Sequence, residues 1–178
     1  MVNSLLEHCL WYFVRDGGVP NIYVCDDGNE INLFEIFEKH MYGQTTNEVI
    51  TILGEKFELI HIKLRNSHNR KHQFALCAAN RLVKEENIQG KLPGIYQKIQ
   101  DEIGDFIYTC FISSKFLDDN VRPERTSFEI AENYEGLFSE QEISLKSIRE
   151  EILKRTSIYL QDVLEKNVSA GKKEWMII

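Results

Sequence analysis

Apolar positions near the start of the chain recur at helical spacing. Leu5, Leu6, Cys9, Leu10 and Phe13 predict an amphipathic helix over 4–14 that stops at Asp16-Gly17-Gly18. Asn21–Cys25 (NIYVC) is β-branched and aromatic and predicts a short strand ending at Asp26-Asp27-Gly28. Residues 32–41 predict a second helix, with the Asn32 side chain able to cap its first turn. In 48–64 two alternating runs flank Gly54-Glu55-Lys56, which predicts a β-hairpin whose second arm points Phe57, Leu59, Ile60, Ile62 and Leu64 inward and His61 and Lys63 outward. Residues 65–72 form a polar, basic loop, and Gln73–Val83 returns to strand character. Leu92, Ile95, Ile99 and Ile103, opened by Pro93, have helical spacing over 90–104. Phe106–Ser113 (FIYTCFIS) is the most strand-like run, and Thr126–Ile130 is a short alternating strand. A long helix is predicted over 144–167, with Ile148, Ile152, Tyr159 and Val163 on one stripe and Gly171 ending it. The tail Glu174–Ile178 reads as the start of an element cut short, so both ends of the chain read as excised boundaries.

This order predicts an α+β fold with a mixed β-sheet, helices gathered on one face, and a long C-terminal helix. Three segments follow: 1–43 (helix-strand-helix), 44–135 (the α+β core) and 136–178 (the long helix and tail). The 178 residues suit one domain, and ten Phe, seven Tyr and two Trp supply the bulk of a core. A net charge of −7 argues against a broad phosphate-binding surface, because nucleic-acid affinity leans on clustered Lys and Arg. Nothing approaches the roughly 20 apolar residues of a membrane span. The expected location is the cytoplasm, where Cys9, Cys25, Cys77 and Cys110 serve as buried apolar residues in a reducing compartment.

Independent chemistry is sparse. His68 and His72 have the i, i+4 spacing of a metal pair, but their segment is not helical in pattern, and no metal site is expected. Glu85-Glu86 reads as a surface pair rather than a catalytic dyad, so no catalytic residue is assigned. The Arg65–His72 loop offers a nucleic-acid or partner contact, with a solvated loop as the plainer reading.

The sharpest local signal is Leu117-Asp118-Asp119-Asn120-Val121-Arg122-Pro123-Glu124-Arg125, leading into Thr126–Ile130. Pro123 fixes φ and biases Arg122 toward extended geometry, so Arg122 and Arg125 sit on a stiff connector suited to a phosphate or carboxylate. The stretch resembles the DxNVHPxK motif in the transducer domain of the MutL mismatch-repair family: Asp118, Asn120, Val121 and Pro123 match, while Arg122 replaces a His and Arg125 a Lys. Upstream, Arg81 matches the arginine of that family's aromatic-V-N-x-R pattern, although Ala79 occupies the place of its asparagine and Asn80 lies one position away. Order and spacing agree over roughly 57–130.

The chain resembles still more closely the middle region of bacterial GHKL ATPases related to the ninety-kilodalton heat-shock chaperone, DNA gyrase B and histidine kinases. The resemblance implies a non-catalytic transducer with a left-handed βαβ crossover, serving an ATPase domain that precedes it and binds ATP and Mg²⁺. Arg125 would sense the ATP γ-phosphate, with Arg122 and Arg81 in support. The partners implied are that ATPase domain and a possible homodimer, with no membrane. Asp16-Gly17-Gly18 and Asp26-Asp27-Gly28-Asn29 lack the glycine spacing of the GHKL nucleotide box, so no cofactor is expected on this chain alone. The alternatives are a protein-interaction module that uses an edge strand or the C-terminal helix, or a nucleic-acid-binding module that uses the 65–72 loop.

Overall fold

The computed structural model describes residues 2–26, 28–65, 71–96, 99–134 and 141–175. Helix α1 (Val2–Val14) leads into a small antiparallel hairpin of β1 (Tyr23–Asp26) and β2 (Asn29–Asn32). The Asn32 side chain accepts from the Phe34 N–H and caps α2 (Leu33–Ile36), as predicted, and the chain continues as a π-helical turn, Phe37–Met41. The main strands are β3 (Tyr42–Ile52), β4 (Glu55–Leu64), β5 (Gln73–Ala78), β6 (Arg81–Asn87), β7 (Ile99–Gln100) and β8 (Asp105–Ser113). Helices α3 (Lys115–Asp119), α4 (Leu145–Tyr159) and α5 (Gln161–Trp175) complete the chain.

The fold is α+β, built on one six-stranded mixed sheet. The order is β3-β4-β8-β5-β6, with β7 against the start of β8; β5 and β8 run parallel and every other pair is antiparallel. Helices cover both faces of this sheet, not one. Phe57, Leu59, Tyr108 and Ile112 pack under Ile148 and Ile152 of α4, Leu160 at the break between α4 and α5, and Leu164 of α5. Ile60, Ile62, Cys77 and Phe111 pack on the opposite face under Leu6, Leu10 and Phe13 of α1 and Leu33 of α2. Because both faces are covered, both alternating sets of β4 are buried. His61 therefore points inward with Phe57 and Leu59 and is 1% exposed. Lys63 is half-buried, its Nζ 3.0 Å from Asp101.

Several boundaries differ from the sequence pattern. The β3–β4 turn is Leu53-Gly54, both at positive φ (47° and 88°), two residues as a tight hairpin requires. Residues 73–83 are not one strand but the β5–β6 hairpin, turned at Ala79-Asn80 (φ 47° and 62°). Residues 90–104 form turns and β7, with no helix among the described residues. Pro93 and the positive-φ Gly90, Gly94 and Gly104 break the segment, while Ile95 and Ile99 still reach the core. The parallel β5 and β8 are thus joined through β6, turns and β7, and the helix of the implied βαβ crossover is absent from the described connection. Thr126–Ile130 makes a single bridge, Val121 to Phe128, rather than a strand. The predicted 144–167 helix is two, divided at Leu160, and the second runs through Gly171. The end of the tail, 176–178, and the centre of the basic loop, 66–70 with His68, lie outside the described residues.

His72 closes the gap between β5 and β7 along β8. Its Nδ1 accepts from the Tyr108 N–H at 3.0 Å, taking the place of a missing strand partner. Burial lowers its pKa to about 4, with the Tyr96 backbone acting in the opposite sense.

Candidate functional site

The segment after β8 is fixed by capping side chains and by hydrogen bonds along its backbone. Ser114 caps α3 by accepting from the Leu117 N–H at 2.9 Å, and Asn120 Nδ2 donates to the Phe116 carbonyl at 2.8 Å. The Glu129 N–H then reaches back to the Asn120 carbonyl (2.7 Å) and the Arg122 N–H to Ser127 (3.0 Å). The Arg125 N–H bonds to Arg122 (2.7 Å), closing a turn with Pro123 at its second position. Leu117, Phe128 and Ile130 anchor this loop in the core. Arg122, Pro123, Glu124, Arg125 and Thr126 remain exposed.

Arg125 has φ +56°, a left-handed conformation that disfavours any side chain with a Cβ. The cost is about 1–2 kcal/mol, and glycine or asparagine would relieve it.

Arg81 lies at the start of β6, exposed, next to the Ala79-Asn80 turn. Asp118 Oδ1 accepts from the Ala79 N–H at 2.7 Å, so the β5–β6 turn and the connector lie side by side at the end of the sheet where β5 and β8 both terminate. Asp118 thus holds the turn, and Asp119 pairs with Lys115 at 2.5 Å.

At this end a cleft of about 780 Å³ opens between α1, the β3–β4 turn and α3. Its walls include Trp11, Arg15, Lys56, Lys115 and Asp118, but none of the three predicted arginines. Gly17 and Gly18 form a positive-φ turn after α1, and Gly28 turns the β1–β2 hairpin. Among the described residues no group of three His, Cys, Asp or Glu is placed to hold a metal. No helix there is long and apolar enough to cross a membrane. Cys9, Cys77 and Cys110 are buried and free as expected, whereas Cys25 is exposed.

A second polar constellation was not singled out by residue type. On the face under α4, His61 Nδ1 lies 2.6 Å from the Tyr108 hydroxyl, which lies 3.1 Å from Thr156 Oγ1. His61 Nε2 is 3.3 Å from Glu48, and Glu48 also pairs with Arg155 of α4. The Tyr159 ring stacks on His61 at 4.6 Å between centroids. Burial pushes the His61 pKa down to about 4, so the imidazole is neutral at pH 7. The usable signal was period-two alternation, which puts residue 61 on the face of Phe57 and Leu59. The partners, 47 and 95 residues further on, carry no local signal.

Asp101 organises the opposite end of the sheet. It accepts two bonds from Arg65 (2.9 and 2.8 Å) and one from Lys63 (3.0 Å). Although burial acts to raise its pKa, those cations hold it well below the usual carboxylate range.

No family model, curated protein or solved structure matches this chain.

Proposed function

We propose that this chain is a non-catalytic transducer module of a GHKL-type ATPase, docking on an ATP-loaded nucleotide-binding domain with Arg125 directed at the terminal phosphate. The observation that carries the reading is the connector itself: a backbone pinned by successive hydrogen bonds that holds a strained, exposed arginine out to solvent. Strain of this kind persists where the side chain is used, because a glycine in the same place would be easier to accommodate. Its rigidity lowers the ordering cost of gripping an anion, and guanidinium geometry suits a phosphate oxygen pair. Arg122 adds positive charge beside it, and Arg81 stands at the neighbouring turn.

ATP and Mg²⁺ would belong to the neighbouring domain, in the cytoplasm. Hydrolysis and phosphate loss would remove the Arg125 contact and release the module, a two-state docking switch. The test is Arg125→Ala in an ATPase carrying this module. Turnover should fall about a hundredfold, with nucleotide affinity little changed and Arg125→Lys recovering part of the rate. Wild-type turnover in Arg125→Ala would remove the reading.

A further inference from the structure

The two edges of the sheet are built differently. Edge strand β6 carries Arg81, Lys84, Glu85 and Glu86, and its partner β5 has a register shift between Leu76 and Cys77; charge and irregularity of this kind blunt an edge against further pairing. Edge strand β3 has eleven residues and no proline. From Thr45 to Leu53 its one charged residue is Glu48, which is already held by His61 and Arg155. On its outer side no strand pairs with it among the described residues. Val49 and Leu53 stand 63% and 54% exposed along this edge.

The direction of the backbone follows from the turn. In a two-residue hairpin the flanking pair, Ile52 and Glu55, exchanges hydrogen bonds, so Ile52, Ile50 and Glu48 bond to β4. The N–H and C=O groups of Thr51, Val49 and Asn47 then point away from the sheet.

We infer that β3 is the contact edge of a two-fold homodimer, pairing antiparallel with β3 of a second copy about Val49. In that register Val49 meets its own symmetry mate, Asn47 faces Thr51, and Glu48 faces Ile50. About six backbone hydrogen bonds form, the exposed valine is covered, and no like charges fall opposite each other. A symmetric partner is favoured because the segment is self-complementary about its centre, as an isologous contact must be. The net charge of −7 on each copy opposes association, and β3 limits that cost because its only charge, Glu48, is already paired with Arg155 within the chain.

The proposal does not rest on the transducer reading, since Arg125→Ala leaves β3 untouched and Val49→Lys leaves the connector untouched. Sedimentation of the chain from about 1 to about 100 µM should show a concentration-dependent dimer. Val49→Lys should shift the midpoint at least about tenfold toward monomer, by placing two ammonium groups on the axis. In a Cys25→Ser background, Val49→Cys should form a disulfide-linked dimer on mild oxidation, because paired Cα atoms would lie about 5.5 Å apart. Lys84→Cys, on the other edge, should not. The cysteine variant reads the contact even if the lysine variant misfolds. A monomer throughout the range, or a dimer that neither responds to Val49→Lys nor cross-links through position 49, overturns the proposal.

Discussion

Tyr108→Phe probes the polar seam between the sheet and α4. The side chain is fully buried, and its hydroxyl is the middle link of a chain of hydrogen bonds. With His61 neutral, Nε2 carries the proton toward Glu48, so Nδ1 is an acceptor and Tyr108 must donate to it. Thr156 then donates to the tyrosine oxygen. Phenylalanine keeps the ring volume, so no cavity term enters, and what changes is hydrogen bonding alone. The buried Nδ1 loses its donor, at about 1–3 kcal/mol for an unsatisfied buried group, on top of about 1 kcal/mol for the bond. Thr156 recovers part of its loss by turning to a carbonyl of the preceding helical turn. The expected destabilisation is about 2–4 kcal/mol, or roughly 4–16 °C in Tm for a chain of this size.

Thr156→Val alone should cost only about 1 kcal/mol, because Tyr108 keeps its bond to His61. The double variant should be less destabilised than the sum of the two by about 1 kcal/mol, since the hydroxyl orphaned by Tyr108→Phe is then absent. Urea denaturation followed by far-UV circular dichroism measures all three. A Tyr108→Phe protein within about 0.5 kcal/mol of wild type, or a strictly additive cycle, would refute the assigned directions of donation.

Acid should weaken the fold before its carboxylates titrate. His61 and His72 have folded pKa values of about 4 against 6.5 for the free side chain, so the unfolded chain takes up protons first as pH falls. Their stabilising effect is complete above pH 6.5 and is lost toward pH 4, by about 2 kcal/mol per imidazole at pH 5; urea midpoints that stay flat from pH 7 to 5 would contradict this. Glu86 acts lower still, because Arg149 and Lys84 outweigh its burial and hold it at about 2, so its contribution is lost only below about pH 4.5. Gly94→Ala should cost about 2 kcal/mol or more, since its Cβ would lie 2.8 Å from the Leu164 carbonyl at φ +86°; Gly90→Ala, at φ +76° in open space, should cost about 1 kcal/mol. Thermal melts separate the two. Arg149→Ala removes the bonds at 2.7 and 3.0 Å that tie α4 to Glu86 of β6. It should destabilise by about 1–3 kcal/mol, and Arg149→Lys should restore only part of that because it loses the paired geometry.

The central strands were legible because burial leaves its mark on composition. Phe106–Ser113 is apolar without alternation, the pattern of a strand covered on both faces, and it became β8 at the middle of the sheet. Read strictly, that same run argued for helices on both sides. Asn32 was found where local cap chemistry placed it. The Ala79-Asn80 turn was hidden because it lacks glycine and is held from a distance by Asp118. The 90–104 stretch misled because Ile95 and Ile99 have helical spacing, while the backbone at Gly94 and Gly104 lies in the left-handed region that helices exclude. At the candidate site the motif residues were visible, but the positive φ of Arg125 depends on the closed 120–129 loop and has no local signature.

The proposed docking end and the α4–α5 helices are linked by one stiff element. β8 begins beside Asp101, carries Tyr108 into the seam with α4, and is followed directly by Ser114, which caps the helix leading to Arg122 and Arg125. Its neighbours β4 and β5 hold it on both sides, and His72 ties its one gap. A pull on Arg125 would therefore reach the sheet through a short helix and a tight loop rather than through a compliant linker. The natural yielding point is the break at Leu160, where α4 ends and α5 begins, one residue past the Tyr159 ring stacked on His61. In a docking switch of the kind proposed, the sheet would move as a body, and α5 would change its angle only by giving up the core contacts of Val163 and Leu164 and the Gly94–Asn167 bond that set its resting position.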